Sequence, residues 1–239
     1  VPIEALILAE GGTGRLRPLT DHVPTSVLPV GGTSILDHQI QVLRSMGVGA
    51  VTVIGGYRGA QVEQICRSYP DVRFCLNPRF NREEPFLDAV RLAGLIPRAP
   101  LLVLRGDLLF DAELIRLVTS TPAPDCVVVD AERQGLGLWR LSAPTVKALL
   151  DISGEPGAAE QPLHAALDRL LVEDGAESVS PNGHPWVRIE SLETLARALR
   201  VERHIAETRV ARTTARLDQV GAAARPQPSS LEVVGPMAS

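Results

Sequence analysis

Short apolar runs alternate along the chain with stretches of helical spacing. Residues 3–9 (IEALILA) form an apolar run that stops at a glycine cluster, the pattern of a strand buried on both faces. Over 34–46 (SILDHQIQVLRSM), Ile35, Ile40, Leu43 and Met46 share one helical face, with Ser34 placed as N-cap and Gly47 as the stop. Residues 50–54 read as a second strand, 59–68 as a helix, 72–76 as a third strand and 83–95 as a helix. LLVL at 101–104 is another buried strand and ends at Gly106-Asp107. A helix over 111–119, strands over 126–129 (CVVV) and 136–141 (LGLWRL), and helices over 143–151, 160–173 and 190–208 complete the pattern.

This rhythm of strand and helix predicts an α/β chain: an open, mostly parallel twisted sheet with helices on both faces. Such sheets bind ligands beyond the carboxyl ends of their strands, so the residues that follow each strand are the ones that carry chemistry. The expected domain covers 1–218. Residues 219–239, rich in Ala, Pro and Ser with little periodicity, are expected to form a flexible tail.

Composition narrows the function. The 239 residues carry a formal net charge of −4, which argues against a nucleic-acid binder working through a broad basic face. No apolar run has the length of a membrane span, and the first residues do not read as a secretory signal, so the cytoplasm is the expected compartment. Cys66, Cys75 and Cys126 lie scattered in apolar stretches without a CxxC spacing, as expected of reduced, buried thiols rather than a zinc site. Lys147 is the only lysine, so a mechanism that needs a lysine nucleophile, base or phosphate clamp must use it or do without. The five histidines show no metal-ligand spacing, and Trp139 and Trp186 are expected in the core.

The chemistry-bearing segment follows the first strand: Glu10-Gly11-Gly12-Thr13-Gly14-Arg15-Leu16-Arg17-Pro18-Leu19-Thr20. Glycines let backbone N–H groups approach phosphate oxygens without interference from a Cβ, and Arg15 and Arg17 add charge-assisted donors. The segment is not a Walker loop, because no Gly-Lys-Ser/Thr follows, and it lacks the third glycine of the dinucleotide fingerprint.

From Leu6 to Val30 the chain (LILAEGGTGRLRPLTDHVPTSVLPV) resembles, without a gap, the signature of the sugar-phosphate nucleotidyltransferase family. That signature runs L-A-A-G-x-G-[ST]-R-L-x-P-L-T-x-x-x-P-K-x-L-L-P-V. Gly56-Tyr57 after the second strand, LLVLRGDLLFD at 101–111 and GHPWVRIESLETLARA at 183–198 are similar to further family elements, so the resemblance covers about 3–198. The resemblance implies a Rossmann-like nucleotidyltransferase fold. The short length is similar to the compact branch that includes inositol-phosphate and phosphocholine cytidylyltransferases.

The resemblance also implies a set of site residues. Gly11, Gly12, Thr13, Gly14, Arg15, Arg17 and Thr25 stand in the nucleotide- and phosphate-binding positions. Arg15 and Asp107 match catalytic positions, and Asp107 with Glu190 would hold Mg²⁺. Several residues depart from the family pattern. Thr13 replaces a loop glycine, Glu10 a small residue, and Thr25 the phosphate-neutralising lysine. Pro85-Phe86 replaces Gly-Thr at the base contact, and Arg188 stands at the aspartate of Trp-x-Asp-Ile, leaving Glu190 as the nearest acid. Glu190 also fits the first-turn acid of the final helix.

The activity implied is transfer of a nucleoside monophosphate from a nucleoside triphosphate to a phosphorylated sugar, cyclitol or small alcohol, with release of pyrophosphate. The substitutions keep open an alternative: a catalytically degenerate homologue that acts as a binding or regulatory subunit. A glycosyltransferase on a related sheet is the weakest reading, since no Asp-x-Asp motif occurs. The expected partners are a nucleoside triphosphate and a phosphorylated small molecule, with a second copy or a protein subunit beside them, and neither nucleic acid nor membrane.

Overall fold

The structure, a computed structural model, describes residues 3–12, 14–80, 100–152 and 176–223. The helices expected over 83–95 and 160–173, together with Thr13 and Pro85-Phe86, lie outside these residues. Eleven strands are described: β1 (Glu4–Ala9), β2 (Pro29–Val30), β3 (Thr33–Ser34), β4 (Ala50–Gly55), β5 (Val72–Leu76), β6 (Leu101–Arg105), β7 (Leu108–Phe110), β8 (Cys126–Val129), β9 (Gly135–Leu141), β10 (Glu177–Val179) and β11 (Trp186–Arg188). The helices are α1 (Ile35–Ser45), α2 (Gly59–Cys66), α3 (Ala112–Ser120), α4 (Ala143–Ile152) and α5 (Leu192–Ala223).

Seven strands form the central sheet in the order β10-β8-β9-β6-β1-β4-β5. The pairs β1–β4, β1–β6, β4–β5 and β8–β10 are parallel. The strand β9 runs antiparallel to both of its neighbours, β6 and β8. This is the Rossmann-like, mostly parallel sheet that the alternation of elements predicts. Two smaller antiparallel pairs, β7–β11 and β2–β3, lie beside it. Strands of two or three residues carry too little periodicity to be read from sequence.

The strand β1 is central because both of its faces are apolar. Ala5, Ile7 and Ala9 pack with Leu36, Ile40 and Leu43 of α1, Val62 of α2, and Leu114 and Val118 of α3. Leu6 faces the other way, onto a cluster with Ile54, Val103, Trp139, Leu141 and Val146 of α4. Burying each of these larger side chains contributes about 2 kcal/mol. A third cluster joins Leu16, Leu28, Val30, Ile35, Leu109, Val187, Ile189 and Ala198, tying the turn after β1 to β7–β11 and to the start of α5.

Helix α1 begins and ends on the residues its sequence predicts. The Ser34 hydroxyl accepts from the Asp37 N–H at 3.0 Å, and Gly47 takes a φ of +73° after the last turn. The Gly47 N–H then donates to Arg44 O and the Val48 N–H to Leu43 O, closing the carboxyl end. Helix α3 starts at Asp111, whose carboxylate accepts from the Glu113 N–H at 2.9 Å. Its other end is capped by the buried Arg140 of β9, which donates to the carbonyls of Val118 (2.8 Å), Thr119 (3.2 Å), Thr121 (2.8 Å) and Ala123. A guanidinium suits that end, where carbonyls face outward along the helix dipole.

Helix α5 continues to Ala223, five residues into the segment expected to be a tail. The chain divides into two compact units, 1–205 and 206–239. Among the described residues no helix is long and apolar enough to cross a membrane.

Candidate functional site

The strands β4, β1 and β6 run parallel and in register, so the turns that follow them meet at one edge of the sheet. Glycines let these turns touch. The Gly106 N–H donates to Leu8 O at 2.9 Å, and a Cβ on Gly106 would stand 2.9 Å from Ala9 Cα. A Cβ on Gly56, just after β4, would stand 2.8 Å from the Glu10 carbonyl oxygen. Both contacts are with backbone, which cannot rotate away as a side chain could.

The turn that leaves β1 has an exposed rim and a pinned base. Gly11, Gly12, Gly14 and Arg15 are exposed, while Leu16, in the short 3₁₀ turn Gly14–Leu16, is buried and anchors the segment. Tyr57 holds it from the β4 side. Its N–H donates to Glu10 O at 2.9 Å, its ring lies against Gly12, and its hydroxyl donates to the carbonyls of Thr20 and Asp21. Arg58 lies over the same ring, its Cζ 5.7 Å from the centroid and so within cation–π reach. Arg17 is exposed and pairs with Asp21 at 3.2 Å, a surface contact worth ~0–1 kcal/mol and easily exchanged for a ligand phosphate.

Thr25 supports the turn from inside. It is 2% exposed, its N–H donates to Gly11 O at 3.4 Å, and its hydroxyl is buried without a hydrogen-bond partner among the described residues. The position that would carry a phosphate-facing lysine in the resembling family is here a small buried group.

Glu10 is spent inside the protein. It is 6% exposed, and its Oε1 accepts from Asn77 Nδ2 at 2.6 Å. Asn77 follows β5, which is separated from β1 by β4, so this contact spans the end of β4. Asn77 is itself held by its N–H donating to Gly55 O at 2.7 Å and by its Oδ1 accepting from the Arg79 N–H at 2.8 Å. The resembling signature has a small residue where this chain has Glu10. Asn77, which carries no motif signal, gives that buried carboxylate a hydrogen-bond donor.

The acidic end of the site is equally committed. Asp107, 8% exposed, receives Arg105 in two-point contact, Nε to Oδ1 at 3.0 Å and a terminal nitrogen to Oδ2 at 2.7 Å. Glu190 Oε1 lies 2.8 Å from a terminal nitrogen of Arg188. The antiparallel register of β7 and β11, continued by the Ile189 N–H donating to Asp107 O at 2.8 Å, brings the two acids to the same place. Burial disfavours the Arg105 charge, but the Asp107 hydrogen bonds and the charges of Asp107 and Glu190 outweigh it and raise its pKa. The signal for these pairs was in the sequence: Arg105-x-Asp107 and Arg188-x-Glu190 share a spacing of two, which puts side chains on one side of extended backbone.

Helix α1 braces this end from below. Gln39 is fully buried, and its amide donates to Arg105 O at 2.8 Å and Leu108 O at 2.7 Å, on either side of the Gly106-Asp107 turn. His38 Nε2 lies 2.7 Å from Phe110 O.

A divalent cation needs oxygen ligands that are open to it. Both Asp107 oxygens are engaged by Arg105, and Glu190 is engaged by Arg188. Among the described residues no group of three or more His, Cys, Asp or Glu side chains could hold a metal ion. The donor set expected for Mg²⁺ therefore does not fit that ion as it stands.

The family profile described as "MobA-like NTP transferase domain" matches residues 5–186, from β1 to the first residue of β11. The chain belongs to that nucleotidyltransferase family. The CTP:phosphoglutamine cytidylyltransferase of Campylobacter jejuni is 30% identical over 80 residues, covering 34% of this chain and 32% of the relative. The choline-phosphate cytidylyltransferase of Streptococcus pneumoniae is 31% identical over 78 residues, covering 33% of this chain and 34% of the relative. The chain thus spans about a third of the length of these curated relatives (32% and 34%). Among solved structures, the inositol-1-phosphate CTP transferase from T. maritima superposes with a TM-score of 0.70 at 16% identity, covering 85% of this chain and 96% of the other. The CTP:phosphocholine cytidylyltransferase from Streptococcus pneumoniae gives 0.67 at 16% identity, covering 84% and 99%. At that identity the superpositions establish the MobA-like nucleotidyltransferase fold, which agrees with the sheet described above.

Proposed function

We propose that this member of the MobA-like family binds a nucleoside triphosphate on its glycine turn and transfers the nucleoside monophosphate to a phosphorylated sugar, cyclitol or small alcohol. The observation that carries this reading is a juxtaposition. The exposed backbone of Gly11 and Gly12, with Arg15 beyond it, leaves β1 where the Gly106-Asp107 turn abuts Ala9. Backbone N–H groups and Arg15 would hold the triphosphate, with Gly14 in the same turn and Arg17 at its rim. An oxygen of the acceptor phosphate would bond to the α-phosphorus in line as the bond from that phosphorus to the α–β bridging oxygen breaks, releasing pyrophosphate. The protein's part in such a transfer is positioning and charge neutralisation. No step is assigned to Mg²⁺. Relatives named for CTP make cytidine the first donor to test.

The burial of Thr25 favours a second reading, in which the chain is a catalytically degenerate homologue that acts as a binding or regulatory subunit. Thermal-shift titration with CTP, ATP, GTP, UTP and dTTP separates the readings, because a ligand that binds only the folded state raises its stability. Transfer predicts a shift with one nucleotide, lost in Arg15→Ala, and pyrophosphate release when a phosphorylated alcohol is added. A shift without pyrophosphate release from any such acceptor supports the subunit reading. No shift with any nucleotide refutes transfer and leaves a degenerate subunit that acts through a protein partner.

A further inference from the structure

The two acids of the site each come with an arginine two residues earlier, and the four side chains form one cluster. Arg105-Gly106-Asp107 and Arg188-Ile189-Glu190 are joined through the Ile189 N–H to Asp107 O hydrogen bond of 2.8 Å. Arg105 binds Asp107 at both oxygens and also lies within the field of Glu190, while Arg188 pairs with Glu190 at 2.8 Å. Among the described residues, the two carboxylates and two guanidiniums of the cluster balance in charge. The arrangement is built into the fold at three further points. Gly137, at a φ of +90°, leaves space for the Arg105 stem, since a Cβ there would stand 2.4 Å from Arg105 Cδ and 2.7 Å from Cγ. Gln39 fixes the backbone on both sides of Asp107. The β7–β11 register fixes Arg188 opposite Leu108.

We infer that this chain carries its own cations where a divalent metal would otherwise sit, so that it binds its anionic ligand without Mg²⁺. A divalent ion entering the cluster would have to displace a bidentate guanidinium from Asp107. It would then stand against two positive charges that have no other carboxylate to turn to among the described residues of the cluster. Guanidinium groups remain charged at all working pH values and present several fixed donors, so they stabilise the carboxylates permanently and can also face phosphate oxygens. The ligand class is a nucleoside polyphosphate in its metal-free form. That part rests on the nucleotide reading proposed above; exclusion of the metal does not.

Two measurements on the full chain test the inference. Manganese binding, followed by the electron paramagnetic resonance signal of free Mn²⁺, needs no nucleotide. The unaltered protein should leave the Mn²⁺ signal unchanged. Arg105→Met with Arg188→Met keeps the Arg105 stem against Gly137 but removes both charges, and should bind Mn²⁺ and lower the free signal, which the unaltered protein does not. Adding Asp107→Asn should abolish that gain, and the lysine pair Arg105→Lys, Arg188→Lys should not show it. Binding of Mn²⁺ by the unaltered protein at a site lost in Asp107→Asn would overturn the inference, as would a folded double methionine variant that gains none. The second measurement repeats the nucleotide thermal shift in EDTA and in MgCl₂. Equal shifts support the inference, and a shift present only with MgCl₂ overturns it. Should no nucleotide shift the protein in either buffer, the proposed function falls while the manganese result still decides the metal question.

Discussion

Asn77 Nδ2 donates to Glu10 Oε1 at 2.6 Å, across the end of the strand that lies between them. The contact gives a buried carboxylate a partner and links the turns after β1 and β5. Glu10→Ala, which restores the small residue of the resembling signature, leaves the Asn77 amide without that acceptor. The expected cost is about 1–3 kcal/mol, read by urea unfolding. An unchanged midpoint would show that water replaces the carboxylate at no cost.

Gln39 is the brace under the acidic turn. Gln39→Leu keeps the volume and removes both donors, leaving the Arg105 and Leu108 carbonyls unpaired. Stability should fall by about 1–3 kcal/mol, and amide exchange should quicken over 105–109. Exchange that quickens only elsewhere would contradict the bracing role.

Arg140 closes the carboxyl end of α3 from a neighbouring strand. Arg140→Met keeps the apolar stem but strands several carbonyls, for an expected loss of about 2–3 kcal/mol. Arg140→Lys, with a single ammonium in place of a fork, should recover only part of that loss. Full recovery by lysine would mean that charge alone, not the spread of donors, satisfies the helix end.

The thiols give a pH prediction. Burial pushes Cys66 up from its ordinary 9.0 to about 12, and burial likewise raises Cys126. A raised pKa in the folded state means that the unfolded chain loses its protons first. These groups therefore stabilise the fold fully below pH 9.0, and that contribution is lost as pH climbs toward about 12. Unfolding free energy should decline across that window, less steeply in Cys66→Ala than in the parent. In the folded protein a thiol reagent near neutral pH should reach the half-buried Cys75 before Cys66 or Cys126.

Much of the fold was legible because its main strands are short apolar runs bounded by glycines and its helices carry their own caps. Ser34 and Gly47 mark the two ends of α1 in sequence and in structure. The direction of β9 was not legible: LGLWRL is as apolar as a parallel strand, and only its pairing with β6 and β8 sets its sense. The glycine turn and Asp107 were marked by resemblance to the family signature, and the structure brings their turns into contact at Gly106 and Ala9. The partners of the acids were harder to see. Arg105, Arg188 and Asn77 matter through contacts made after folding, and a motif that names positions for ligands says nothing of side chains that occupy those positions from within.

The reversed direction of β9 has a consequence for how this molecule can change. Its first residues, not its last, lie beside the end of β6, and the turn over 130–134 that joins it to β8 opens on the site edge of the sheet. That turn closes on itself: Asp130 accepts from the Gln134 N–H through its carboxylate, and its own N–H donates to Gln134 O. Insertions there would reshape the site edge of the sheet and leave the pairing of every parallel strand as it is. The hairpin is thus a place where new specificity can be acquired separately from the glycine turn and the arginine–carboxylate cluster.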